Sequence, residues 1–362
     1  RCPEPDMLAA LSILGAIAVT AAPAPSTVVR SQGPGGSLLL VEPTPDLPIV
    51  HVAVAARRGA SGDPKGREGQ SELATELARR GAAGKTRAEI DAAIDALGGS
   101  LDASVDLDAT YLHGHVLAKN LPAYLDILAD IALRADFREE EHRRTVDELV
   151  SQLDELRTDD TALCARFWSR RLYGDHPYGR PASGTKATLR AISAKDAAAH
   201  FRSVFQAKNV IIAAAGGVDP AAFAALIGER FATLPPGGSA AKPPAPPTKA
   251  PKGWRIELVD KPDRQQVQVM WGQAAVPASH ADHLPLTIAL TAFGGGAMKA
   301  TLMDEVRSKR GLAYGAYMGL GSQRGPAAVR GWASTGTERA VTTLKLVLRL
   351  FRQLGKGGLT EE

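Results

Sequence analysis

The sequence predicts an α+β fold of two homologous units, each a mixed sheet with helices packed on it. Three observations carry that expectation. The segment GGSAAKPPAPPTKAPKG, residues 237–253, holds five prolines, spaced lysines and no large apolar side chain, as a stiff solvated linker does. The chain reads alike on either side of it. Residues 38–59 give two strands joined by a Pro-containing turn, with Val50, Val52 and Val54 alternating; residues 255–272 repeat strand, acidic-Pro turn and alternating Val267 and Val269. The 362 residues are too many for one ordinary core and suit two domains.

Along the first unit the elements follow in order. Residues 68–83 (EGQSELATELARRGAA) space their apolar side chains as a helix does. Residues 86–99 open on Thr86 with Glu89 three positions on, a capping box. Residues 100–117 alternate as two antiparallel strands. Long helices are expected around 121–132, 139–156 and 161–172, then a Gly/Pro loop, YGDHPYGRPASGT, a helix at 194–205, a strand at 209–215 and a helix at 220–234. No glycine-rich phosphate loop follows a strand, which excludes a doubly wound nucleotide fold.

Composition narrows the function. Lys plus Arg number 43 and Asp plus Glu 39, a formal net charge of +4. No basic run is dense enough to track a phosphate backbone, so nucleic acid is not the expected partner. Apolar residues at 44% and charged residues at 23% belong to a globular protein rather than a disordered one. Cys2 and Cys164 are the only cysteines, which excludes a disulfide framework and a cysteine zinc site. Residues 7–22 carry no charge and reach small side chains at Val19 and Ala21. This suits a secretory leader within residues 1–29, and hence the periplasm or cell envelope; an ordinary apolar helix there would leave the cytoplasm. The stretch is too short for a stable membrane span.

The landmarks GASGDPKGREGQSELATEL, TRAEIDAAIDALGGSLDAS, LYGDHPYGRPASGT, NVIIAAAGGVDP and GGGAMKATLMDEVRSKRGLAYGAY resemble, in this order, the insulinase/pitrilysin family of zinc peptidases, the inverzincins. The resemblance runs from about Leu38 to Tyr317. It implies two homologous domains, at 30–236 and 254–362, paired to enclose a peptide-degrading chamber. The family's two domains are near equal in length, so the shorter second unit is expected to be incomplete.

The family's H-x-x-E-H motif sets two imidazoles on one helical face to hold zinc, with the Glu beside the metal-bound water. A later helix supplies a third ligand, a Glu. On this chain the motif falls on Glu72-Leu73-Ala74-Thr75-Glu76. Both histidine positions are glutamates, the base position is Thr75, and the third-ligand position falls on Gln152. Two carboxylates and an amide lack the imidazoles that suit zinc, and Thr75 is no carboxylate base. The expectation is a metal-free helix whose exposed glutamates pair with Arg79 and Arg80 one turn on. Glu72 and Glu76 holding a harder cation is the weaker alternative.

The resemblance also implies an Arg and a Tyr seven residues apart that bind the substrate backbone and polarise the scissile carbonyl. VRSKRGLAYG puts Arg307 and Tyr314 there, after Gly294, Gly295 and Gly296. A chain with this pair and no zinc motif resembles the non-catalytic subunit of two-chain enzymes such as mitochondrial processing peptidase. It is expected to be inactive alone and to carry no catalytic residue or cofactor of its own. Its partner would be a homologous catalytic subunit bearing zinc, and its substrate an extended peptide that adds a strand to a sheet edge. The alternative is a peptidase-derived scaffold or peptide-binding protein with no role in hydrolysis, as the core subunits of respiratory complex III are.

Other candidates read as structural. His113 and His115 share one face of an alternating strand, His176 belongs to the DHPYG turn, and His142 follows three glutamates at a helix start. Cys164, on an apolar helix face, reads as a core residue, and no Ser or Cys sits in a nucleophile elbow.

Overall fold

The computed structural model describes residues 28–238 and 255–357. The expected leader and linker, apart from their margins, lie outside these residues. The first unit opens with strands β1 (Val29–Gln32), β2 (Leu38–Pro43) and β3 (Ile49–Ala56). Helix α1 (Gln70–Ala78), the small strands β4 (Gly81–Ala82) and β5 (Lys85–Thr86), helix α2 (Arg87–Ala96) and strands β6 (Ser100–Val105) and β7 (Thr110–Leu117) follow. Helices α3 (Leu121–Arg134), α4 (Glu139–Leu156), α5 (Asp160–Tyr173), α6 (Lys186–Ala191) and α7 (Ala194–Val204) precede strand β8 (Val210–Gly216) and helix α8 (Pro220–Arg230).

The expected capping box forms. Thr86 Oγ1 accepts from the Glu89 amide, and the Glu89 carboxylate accepts from the Thr86 amide at 2.8 Å. Helix α1 is shorter than its apolar pattern. Gly69 just before it takes a left-handed φ of +89°, and Ala82 just beyond it pairs with Lys85 in a two-stranded ribbon.

Six strands make one sheet in the order β1-β2-β8-β3-β7-β6, with β2–β8 parallel and every other pair antiparallel. Alternation sorts its faces. Val50, Val52 and Val54 of β3, Leu112 and Val116 of β7, and Val210 and Ile212 of β8 are buried. They pack against Leu73 and Leu77 of α1, Leu125 and Leu128 of α3, Phe201 of α7 and Phe223 of α8. The intervening residues, His51, Ala53, His113 and His115 among them, face away from that core.

The second unit comprises β9 (Gln266–Ala275), α9 (His283–Gly294), a π-helical turn at Met303–Ser308, β10 (Ala313–Leu320), β11 (Ala327–Gly336) and α10 (Ala340–Gly357). Its sheet runs β10-β11-β9, the connectivity of β6-β7-β3 in the first unit, so the duplication is visible in topology. One expectation fails. Residues 255–260 form no strand, and Ile256 and Leu258 are exposed. In the first unit β2 is a strand held between β1 and β8; among the described residues no strand takes either place in the second.

Helix α5 is the seam between the units. Its Cys164 is half-buried against β9, with Sγ 3.7 Å from the Gln268 carbonyl, so it lies at this contact rather than in a core. Gly272 of β9 has a φ of +153°, and a Cβ there would meet the Val329 carbonyl at 2.0 Å and the Trp168 ring of α5 at 3.1 Å, so only glycine permits this approach. At the far end Asp108 holds both units. Tyr178 Oη donates to Asp108 Oδ1 at 2.5 Å, the Arg324 amide donates to Oδ2 at 2.7 Å, and the Gly325 amide donates to Tyr178 Oη at 2.9 Å. Tyr173 Oη adds a bond to the Pro326 carbonyl at 3.0 Å.

Replacing Tyr178 by Phe leaves the Asp108 carboxylate and the buried Gly325 amide short of a partner. The variant is expected to lose about 1–3 kcal/mol of stability, read as a lower urea midpoint.

Candidate functional site

Helix α1, which carries the degenerate motif, is anchored from outside itself. Its first position has no side-chain cap, since Gly69 stands there. Asp63, in the loop before it, accepts from the Gly69 amide at 3.0 Å, the Ser71 amide at 3.1 Å and Ser71 Oγ at 2.6 Å. Ser71 Oγ also lies 2.9 Å from His200 Nε2 on α7. All three side chains are buried. Burial outweighs the bonds from Ser71 and Gly69 and pushes the Asp63 carboxyl up to about 6; burial, with Arg58 nearby, pulls His200 down to about 4. The serine stands between the acid and the imidazole with its proton given to Asp63, so this cluster fixes α1 to α7 and is no hydrolytic triad. Sequence reading assigned none of the three this role. The one available signal was a glycine at a helix start, which obliges the cap to come from elsewhere.

Glu72 and Glu76 lie one turn apart on α1, but not as exposed ion-paired residues. Both are half-buried, and burial, then the charges of Glu76 and Asp63, push the Glu72 carboxyl up to about 7. The arginines one turn on are engaged elsewhere. Arg79 donates Nη1 to Asp91 at 2.6 Å and Nε to the Leu101 carbonyl at 3.0 Å. Arg80 is buried between α1 and α4 and donates Nη1 to Glu148 at 3.1 Å. Burial alone would lower its guanidinium; the bonds to Glu148 and the charges of Glu148, Glu76 and Glu141 raise it instead. Thr75 is buried in the core. Gln152 lies exposed on α4, whose inward side chains include Thr145, Leu149 and Leu153, and no hydrogen bond brings it to α1.

In the second unit Arg307 and Tyr314 do meet. The guanidinium carbon lies 4.5 Å above the Tyr314 ring, a cation–π contact, and Arg307 Nη1 is 3.8 Å from Met298 Sδ. Two backbone irregularities make this possible. Arg307 sits in the π-helical turn, and Tyr314 is the extra residue of a β-bulge, because Ala313 faces Thr335 while Gly315 already faces Ser334. The bulge leaves the Tyr314 side chain 79% exposed. Beside the pair, Tyr317 stacks on Trp332 with ring centres 5.5 Å apart and planes within 9°, and Trp332 Nε1 donates to Gln268 Oε1 at 3.0 Å. Neither Arg307 nor Tyr314 is hydrogen-bonded to α1 among the described residues.

Comparison with known proteins covers both units, although the two family models meet within the first, at α6, rather than at the linker. Residues 39–186 match the family described as Insulinase (Peptidase family M16), and residues 191–362 match the Peptidase M16 inactive domain. The chain belongs to peptidase family M16. It is similar to an uncharacterized zinc protease of Mycobacterium leprae, 26% identical over 92% of this chain and 75% of that one. Its fold superposes on a peptidase M16 inactive domain from Pseudomonas fluorescens with a TM-score of 0.86, at 24% identity, over 92% of this chain and 81% of that one. A chain of complex III2 from Candida albicans gives a TM-score of 0.76 at 15% identity, covering 92% and 78%.

The zinc that the M16 family implies does not fit the residues at its positions here. No imidazole stands there, Thr75 is buried, Gln152 is an exposed amide, and the cation beside Glu76 is the Arg80 guanidinium. Among the described residues no three His, Cys, Asp or Glu side chains converge on a metal position.

The raised Glu72 carboxyl has a signed consequence. Between its ordinary value near 4.5 and about 7 the folded chain holds a proton the unfolded chain has released, so this group's contribution is lost as pH rises. Glu72→Gln is expected to be more stable than the parent at pH 8, by about 1–3 kcal/mol, with the gap closing at pH 4.5. Thermal melts of both chains across that range check it.

Proposed function

We propose that this chain is the non-catalytic subunit of a two-chain M16 peptidase, presenting Arg307 and Tyr314 to a peptide held at a homologous partner's zinc site. The observation that carries the reading is the Arg307–Tyr314 contact, with Arg307 half-buried and Tyr314 exposed, in the half of the chain that matches the inactive domain, while the zinc-motif positions carry no imidazole. The pair's chemistry suits a peptide carbonyl. A guanidinium offers several N–H donors and a phenol one O–H, and both stabilise negative charge as it forms on the oxygen. Tyr314 stands clear of the sheet, and the cation–π contact orders the guanidinium before substrate arrives, which lowers the cost of binding. Hydrolysis would belong to the partner, whose own motif would hold the metal.

The test is an assay of peptide hydrolysis by this chain alone, by a homologous chain with an intact H-x-x-E-H, and by the mixture. The chain alone is expected to be inactive and the mixture well above the homologue alone. Arg307→Ala or Tyr314→Phe in the mixture is expected to lower kcat/KM by about 10²-fold, the scale of one lost oxyanion donor. A mixture no more active than the homologue alone would sink the reading. Association with full activity in both variants would favour a scaffold role instead.

A further inference from the structure

The open face of the first sheet carries a feature the M16 reading does not use. Its central strands place two histidines directly opposite each other: His51 of β3 faces His115 of β7 in the antiparallel register. Directly opposed side chains have their Cβ atoms about 4.5–5.5 Å apart. Here the imidazole centres are 5.6 Å apart with planes tilted by 46°. Two imidazoles bound to one ion at about 2.0–2.1 Å put their ring centres roughly 5–6 Å apart, so the rings already stand at ligating distance.

The surroundings fit the same reading. Ser100 of β6 faces His115 from the other side, with Oγ 2.8 Å from His115 Nδ1. With Ser100 accepting from Nδ1–H, the Nε2 lone pair is left free, the outer-shell arrangement that orients metal-bound histidines. His51 is exposed and, among the described residues, makes no side-chain hydrogen bond. Its neighbour on β8 is Ala215, which leaves room above the ring. His113 shares the face but packs edge-on against Tyr111, with ring centres 6.5 Å apart.

We propose that His51 and His115 form a two-imidazole site for a late first-row divalent ion, Ni²⁺, Cu²⁺ or Zn²⁺, completed by water. Imidazole suits these ions, whereas Mg²⁺ and Ca²⁺ take oxygen ligands. The bound ion clips β3 to β7 across the middle of the sheet, independently of the degenerate motif on α1.

The untagged chain, stripped with a chelator, is titrated with NiCl₂ or ZnCl₂ by calorimetry, with MgCl₂ as the comparison. One ion per chain is expected to bind at about 1–100 µM, and Mg²⁺ not to bind on that scale. His51→Ala and His115→Ala are each expected to weaken binding at least about tenfold, Ser100→Ala by less, and His113→Ala not at all. Each variant's metal-free melt and circular dichroism are recorded first, and His51→Gln replaces any that fails to fold. The parent's melting temperature is expected to rise on adding the ion, and that rise to vanish in the His51 and His115 variants. Absence of saturable binding, binding indifferent to His51 and His115, or an equal loss in His113→Ala overturns the assignment.

Discussion

Strand β8 is what the first unit depends on. It is the last strand of the unit in sequence, yet it lies between β2 and β3, parallel to one and antiparallel to the other. Neither early strand completes its hydrogen bonding until the chain from α1 to α7 has been gathered in, a pairing of long sequence separation of the kind that slows folding. The second unit displays the same dependence by default. Where no strand stands in β8's position among the described residues, the stretch that matches β2 in sequence, 255–260, stays unpaired.

Helix α1 shows how a catalytic element is retained as architecture. Asp63, Ser71 and His200 lock its start to α7, and Arg80 locks its end to α4 through Glu148. The positions that match the family's metal motif hold two half-buried glutamates, a buried threonine and an exposed amide. The helix therefore keeps its place while losing the donor set that gave the place its chemistry. The second unit is the reverse case: its π-helical turn and β-bulge are departures from regular structure, and they serve to bring Arg307 and Tyr314 into contact.

What the sequence made legible was local. The Thr86–Glu89 capping box, the alternation of β3 and β7, the long helices and the duplication all rest on patterns within a few residues or on direct repetition. The degenerate positions were readable through the resemblance to the insulinase/pitrilysin family, whose motif spacing falls on Glu72, Thr75 and Glu76. What stayed hidden depends on partners far away in the chain. Arg79 and Arg80 looked suited to Glu72 and Glu76, yet Asp91 and Glu148 offered them bonds from α2 and α4. Helix α6 and the role of Asp63 and His200 lay beyond periodicity for the same reason. The bulge at Tyr314 could not be seen in AYGAYMGL, because alternation does not say where one strand takes an extra step.

That extra step separates two kinds of constraint. In a regular strand, what a residue shows to solvent is tied to its ladder partner, so changing one disturbs the other. Tyr314 has no ladder partner: the register resumes with Gly315 opposite Ser334 and Ala316 opposite Ala333 whatever side chain the bulge carries. Evolution can therefore rewrite the chemistry presented at that point, from phenol to any other group, with the sheet's hydrogen bonds as bystanders. The fold has in effect set aside a residue whose side chain is answerable neither to a ladder partner nor to the core.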